Sequence, residues 1–421
     1  MPAPRVLLCA TTTGYQIRMF DEAATHLGVD LRLATDRCQV LDDPWRDHAI
    51  AVHFHDLDES LRSVASAFGQ SPPDGVLAVG DRPATLAAVV AARYGITWHP
   101  IEAVEASRLK ILSRERMRDA GLLVPWFQVL PPGDSDASRL VDTYPCVIKP
   151  VMLSGSRGVM RADNESELHA HVARLRRLLA QPDVAALRDS GSGHILIEGF
   201  IPGREYAIEG LLDDGELHLQ ALFDKPDPLD GPFFEETLYV TPSRAPDDAQ
   251  RGIIDAVGAA CRALGLKHGP IHAECRVGPD GVFVLEVAAR PIGGLCARAL
   301  RFVDNQGASI PLEELLLRHA AGLPWLQFRR ESEASGVLMI PIPRAGIFNG
   351  VEGEAEALAV PGVTAVQITA KTDQLLVPLP EGATYLGFIF AKGATASAVE
   401  GALRTAHQAL RPAISRAVPI A

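Results

Sequence analysis

The sequence predicts α/β structure passing into α+β structure, spread over several subdomains, and three observations carry that prediction. Up to about residue 105, short apolar strands alternate with helical stretches, the pattern of a parallel sheet with crossover helices. After about residue 194, strands follow one another directly, as at 271–277 and 282–288, which the turn Gly278-Pro279-Asp280-Gly281 joins. At 421 residues the chain exceeds what one core usually serves.

Taken in order, 5–11 is an apolar strand, and the turn at Thr12-Thr13-Gly14 opens a helix to about Leu27. Strands at 30–34 and 75–79 follow, then a helix over 83–94 with Pro83 near its first turn. Residues 108–120 look helical until Gly121 and Pro125 break the pattern. Strands at 126–130 and 146–149 precede a helix at 165–179. A third region begins at 194–198 with further strands at 204–212 and 217–223, then a long helix over 247–264 with an Asp-rich start. From 336 onward, more strands and a helix near 396–410 make a small α+β appendage. The expected division is 1–105, 106–193, 194–325 and 326–421. Internal repeats are absent.

Composition narrows the function. Hydrophobic residues are 47% and charged residues 22%, a soluble globular profile. No run of eighteen apolar residues occurs, so no membrane span is expected. The start, Met1 to Arg5, leads straight into a strand without a charged segment and long apolar stretch, so no secretory signal is expected and a cytoplasmic location is. Net charge is 40 − 52 = −12 with no basic stripe, so nucleic acid is not an expected partner. A local site can still oppose that sign and take an anionic small ligand. The six cysteines, Cys9, Cys38, Cys146, Cys261, Cys275 and Cys296, form no CxxC pair and sit mostly in apolar stretches, which points to free thiols rather than zinc. His53 and His55 alternate on a stretch read as a strand; they are either ordinary histidines or a metal pair. Only six of the 40 basic residues are lysine, so each lysine hints that a compact ammonium is needed there.

Three clusters carry chemistry. In the first, an apolar strand ends in Lys149, and the loop Ser154-Gly155-Ser156-Arg157-Gly158 follows. Glycines let amides turn toward an anion and serines add donors, which suits a nucleotide with its phosphates under a flap; a plain turn with a surface lysine is the other reading. The GK[ST] ending of a Walker A loop is absent. The second cluster is Glu198-Gly199-Phe200-Ile201-Pro202-Gly203-Arg204-Glu205. A carboxylate, a backbone donor and apolar walls meet the needs of an adenine, and a second carboxylate those of a ribose; an exposed hairpin is the alternative. The third comprises His272 and Glu274 on one strand face and Glu286, Ala288 and Arg290 on the next. Two carboxylates from adjacent strands suit Mg2+, and Arg290 suits an acyl phosphate or carboxylate. A structural Glu286–Arg290 ion pair is the competing reading.

The order Lys110, Lys149 with its loop, Glu198, Glu205, Glu274, then Glu286-x-x-x-Arg290-Pro-x-Gly293-Gly294 resembles the ATP-grasp superfamily over roughly residues 1–325. The resemblance implies an ATP-grasp fold behind an N-terminal Rossmann-like domain, with ATP and Mg2+ as cofactors, Mn2+ able to substitute. It implies that Lys110 and Lys149 contact ATP and that Ser154, Gly155, Ser156 and Gly158 close over its phosphates. Glu198, Phe200 and Ile201 would read adenine, Glu205 ribose, and Glu274 and Glu286 would hold the metal. Many members carry Asn where Ala288 stands; the pattern Glu286-x-Ala288-x-Arg290 is instead similar to the L-amino-acid ligase branch. That branch couples a small carboxylate to an amine, both typically amino acids, through an acyl phosphate, and similar enzymes are often homodimers. Arg290, Gly293 and Gly294 would hold the substrate, His272 would act as general base, Glu235 would recognise an ammonium, and Lys225 would reach phosphate. A bicarbonate-using carboxylase is the alternative within the superfamily, and a non-catalytic nucleotide-binding module the alternative outside it. A Rossmann dehydrogenase is disfavoured because the first turn lacks GxGxxG.

Overall fold

The computed structural model describes residues 3–11, 16–36, 49–134, 136–189 and 191–417. The turn read at Thr12-Thr13-Gly14, and Cys38, lie outside them.

The N-terminal sheet is parallel, in the order Ile50–Ala51, Asp30–Thr35, Arg5–Ala10, Gly75–Val79. Val6 to Ala10 are fully buried, as expected of a parallel strand covered on both faces. The strand order reverses direction between Arg5–Ala10 and Gly75–Val79. The crevice beyond the carboxyl ends of two such strands is where open α/β sheets take ligands. Thr11, Gly80 and Asp81 stand there.

The helix expected over 108–120 runs Lys110–Asp119, and a separate helix, Ile101–Arg108, precedes it, the two parted at Leu109, whose backbone is extended. Leu and Lys are good helix formers, so nothing in the sequence marks the break. It lets Lys110 begin a new helix with its side chain across the chain at Leu153.

A four-stranded antiparallel sheet follows, in the order Phe127–Leu130, Ile195–Gly199, Cys146–Pro150, Met160–Ala162. The strand Ile195–Gly199 pairs with both Phe127–Leu130 and Cys146–Pro150, so it belongs with residues before the 193/194 division. The helix Glu165–Leu179 covers this sheet with Leu168, Val172, Leu175 and Leu178. Asn164 caps it by accepting from the Glu167 amide, and its first turn is acidic and its last basic, in line with the helix dipole.

The largest sheet has eight strands, every pairing antiparallel. Its order is Gly281–Ala288, Gly269–Gly278, Arg204–Asp213, Glu216–Lys225, Leu238–Thr241, Ala334–Ile340, Gly387–Gly393, Val363–Ile368. The C-terminal section expected from 326 onward therefore continues this sheet. The helices Asp247–Leu264 and Ala396–Ala409 bury apolar stripes on it. Among the described residues, no helix is long and apolar enough to cross a membrane. Cys9, Cys146, Cys261, Cys275 and Cys296 are buried free thiols. His53 and His55 are exposed in a tight turn rather than on a strand.

The helix Leu312–Ala320 joins the N-terminal sheet to the central one. A Cβ on Gly75 would lie 2.0 Å from the Ala320 carbonyl oxygen, so that strand admits only glycine there. Gly75→Ala is expected to cost about 1–3 kcal/mol, the usual penalty of overpacking, measured as a lowered urea midpoint; an unchanged midpoint would mean the two units do not dock this way.

Candidate active site

A cavity of about 860 Å³ opens where the N-terminal crevice, the four-stranded sheet and the central sheet meet. Its chemistry follows from side-chain alternation on one face of the central sheet. Cross-strand register sets Lys225, Glu205 and Arg276 in one row, and Ala207, Glu274 and Glu286 in the next. Glu209, His272 and Ala288 make a third.

Glu274 and Glu286 stand directly opposite each other, and both line the cavity. A bulge after this pair leaves Leu285 without a partner, and bulges re-aim side chains. Leu285 and Glu286 consequently both line the cavity although they are consecutive. Lys110 Nζ lies 3.9 Å from Glu286 and donates to the Leu153 carbonyl at 2.7 Å.

Glu198 is buried and holds two cations. Arg114 Nε donates to it at 2.9 Å, and Lys149 Nζ bonds its other oxygen. Burial alone would raise the Glu198 pKa, but Arg114 and Lys149 outweigh it and hold the carboxyl at about 2. Burial conversely pushes Lys149 down to about 8 against the pull of Glu198. Removing one member of such a buried set typically costs about 3–5 kcal/mol. Phe200 lies between the guanidinium groups of Arg161 and Arg276, and Ile201 accepts from Arg276. Both line the cavity.

In the Ser154–Gly158 loop, Gly155 and Ser156 adopt φ 63° and 55°, a conformation that lets successive amides converge on an anion. Among the described residues neither amide has an acceptor, and the space around Gly155 is open. Gly158 departs from expectation. Its amide donates to the Pro380 carbonyl at 2.8 Å, and a Cβ there would meet Leu175 and Leu178, so this glycine serves packing rather than phosphate. Arg157 donates to the Glu381 carbonyl and Arg174 grips the Glu381 carboxylate, which docks the loop on the C-terminal section.

Arg290 does not pair with Glu286. Its Nε donates at 2.8 Å to Asp81, at the carboxyl end of the Gly75–Val79 strand. Burial would weaken the charge on Arg290, but Asp81 first and Glu286 second more than offset it. Gly293 and Gly294 line the cavity beside them.

Three further expectations need correction. Lys225 is enclosed by Glu205 and Glu236, both at 2.7 Å, and by Glu274 at 3.4 Å, so it neutralises a carboxylate cluster instead of reaching into the main cavity. Glu235 does not line the cavity; its neighbour Glu236 does. Burial first, and Glu274 second, raise the Glu236 pKa. His272 is unsuited to be a base. Burial disfavours its charged form, but Glu209, bonded at Nδ1, and Glu274, 3.5 Å from Nε2, raise its pKa to about 9. His272 is thus a cation at neutral pH, paired across the strands with Ala288. Sequence reasoning missed Arg114, Asp81, Glu209 and Arg276, and within the Glu235-Glu236 pair it chose the residue that does not line the cavity. Only Arg276 and Glu209 had a visible signal, since alternation places them on the same faces as Glu274 and Glu205.

Comparison with known proteins places family domains on the chain. Residues 142–299 match the ATP-grasp domain, and residues 338–415 match the L-amino acid ligase C-terminal domain 2. The chain thus carries an ATP-grasp domain followed by an L-amino acid ligase C-terminal domain. It is similar to carnosine synthase 1 of Gallus gallus, 33% identical over 43% of this chain and 19% of that protein. It is also similar to alanine–anticapsin ligase of Bacillus subtilis, 28% identical over 44% of this chain and 41% of that protein. The chain thus spans well under two thirds of the length of either relative. The crystal structure of an L-amino acid ligase from Bacillus licheniformis superposes with a TM-score of 0.83 at 24% identity, over 99% of this chain and 100% of that one. It has the same fold, including the C-terminal section.

The environment of His272 sets a pH dependence. Its folded pKa of about 9 lies above the ordinary 6.5, so its stabilising contribution is complete below pH 6.5 and fades as pH rises through about 9. In metal-free protein, the urea-midpoint difference between wild type and His272→Gln should therefore narrow between pH 6 and pH 9.5. A constant difference would show that the ring is neutral throughout.

Proposed function

We propose that this protein is an ATP-dependent carboxylate–amine ligase of the L-amino-acid ligase type, forming an amide between two small molecules. The observation that carries this reading is the opposed pair Glu274 and Glu286, in one cavity with Lys110, Lys149 and the Asp81-held Arg290. Both carboxylates are hard oxygen donors, which fits Mg2+ or Mn2+. A metal ion held there would supply positive charge at the terminal phosphates of ATP.

The chain's own residues do the rest. Lys110, Lys149 and the amides of Gly155 and Ser156 bind and orient the triphosphate. Phe200, Ile201 and Leu285 supply apolar walls for the base. Arg290, with Gly293 and Gly294, positions the substrate carboxylate. A carboxylate oxygen bonds to the γ-phosphorus as the bond to ADP breaks, giving an acyl phosphate. The incoming ammonium gives one proton to Glu236, whose raised pKa makes it the better acceptor in place of His272. The free amine then attacks the carbonyl carbon, and phosphate leaves with the second proton. Tyr239, Met339, Tyr385 and Phe388 line the same cavity and suit an apolar part of an amino acid substrate. The similar alanine–anticapsin ligase, by its name, joins alanine to anticapsin.

Phosphate release screened over amino-acid pairs, with product masses, tests the reading. Release that needs an amine and yields a condensed product is expected; release with bicarbonate alone would favour a carboxylase. Glu286→Ala and Arg290→Ala should each lower kcat/KM by about 10²-fold or more, and near-normal turnover in either would remove that residue from the mechanism. Glu236→Gln should lower kcat by roughly 10²-fold with little change in KM for ATP. An unaltered pH profile in that variant would assign the proton to another group.

A further inference from the structure

We propose that Asp213, His268 and His319 form a binding site for a divalent transition-metal ion of the zinc type, remote from the cavity. One ligand atom from each of the three side chains lies within 4.8 Å of the others. They come from three separate segments: the end of the Arg204–Asp213 strand, the turn before Gly269–Gly278, and the helix Leu312–Ala320. His268 Nδ1 is 3.2 Å from the Asp213 carboxylate. The His268 and His319 rings stack with centroids 4.2 Å apart.

The second observation is His319 itself. It is 5% exposed, and among the described residues neither of its ring nitrogens has a hydrogen-bond partner. Burying polar atoms without partners is costly, and such atoms call for an explanation. The Leu212 carbonyl lies close to this ring, short of hydrogen-bond geometry. An ion on one nitrogen and that carbonyl on the other would satisfy both, the usual arrangement around a metal-bound histidine.

The donor set separates this site from the carboxylate pair in the cavity. Two imidazoles and one carboxylate suit zinc and its neighbours, whereas Glu274 and Glu286 suit Mg2+. Asp213 is eight residues from Glu205 on one strand, roughly 27 Å at the usual rise. The helix carrying His319 ends at Ala320, whose carbonyl packs on Gly75. An ion here would staple the central sheet to the helix that seats the N-terminal domain, with a structural role.

Cobalt is the probe. The full-length chain without an affinity tag is stripped with chelator and titrated with Co2+, following the visible absorption bands and the fluorescence of Trp325, whose ring meets His319 edge-on at 5.1 Å. Wild type and Glu274→Gln should each bind one equivalent at this site, displaceable by Zn2+, with a raised Tm on Zn2+ addition. Asp213→Asn and His319→Gln should bind at least tenfold more weakly and lose the Tm shift. Equal Co2+ binding in all four proteins, or no Co2+ band in wild type at saturation, overturns the proposal. Should His319→Gln fail to fold, Asp213→Asn decides alone, because that side chain is 41% exposed.

Discussion

The structure depends on one constraint: a buried sheet face that carries charge must neutralise every charge on it. Lys225 satisfies Glu205, Glu236 and Glu274 at once, and Arg276 takes the second oxygen of Glu205. His272 bridges Glu209 and Glu274. Water cannot screen these groups, so each unpaired member would cost several kcal/mol. The network therefore fixes its members to one geometry, and Glu274 inherits that rigidity. Lys225 and His272 outweigh the effect of burial and hold its carboxyl at about 2, so it is an anion ready for a cation.

The cavity gains its variety because three differently built units face it. The parallel N-terminal sheet contributes a crevice at its switch point and the Asp81 that orients Arg290. The four-stranded sheet contributes Lys149, Glu198 and the loop at Gly155 and Ser156. The central sheet contributes the carboxylates and, through its C-terminal strands, Met339 and Phe388. A polar end and an aromatic end thus share one enclosure.

Much of this was legible in the sequence, and the failures have physical causes. Alternation along extended strands put Glu274 and Glu286 on facing positions, and the end of an apolar strand put Lys149 beside a glycine-containing loop. Long-range partners were invisible. Arg114 lies in a helix whose composition gives no sign that its guanidinium reaches Glu198, 84 residues away. Asp81 meets Arg290 across 209 residues. Glu235 and Glu236 are chemically identical neighbours outside any regular element, so only the path of the backbone decides which one faces inward. The role of His272 turned on Glu209, a residue that reads as an ordinary strand position until the register is known.

The main-chain ladder between Leu238–Thr241 and Ala334–Ile340 restricts how the molecule can breathe. Its four residue pairs make the C-terminal section a continuation of the sheet that bears the carboxylates, not a hinged attachment. Swinging that section away to admit reactants would tear a ladder in the middle of an eight-stranded sheet. Among the described residues the Cys146–Pro150 sheet shares no strand pairing with the central one; side chains, single carbonyls and one isolated bridge link it to the rest, the bridge from Met160 to Phe233 in the segment between the strands Glu216–Lys225 and Leu238–Thr241. Were the cavity to open, the smaller sheet is the part that could move without breaking a main-chain ladder, and the contacts of Arg157, Gly158 and Arg174 with residues 380–381 would have to part.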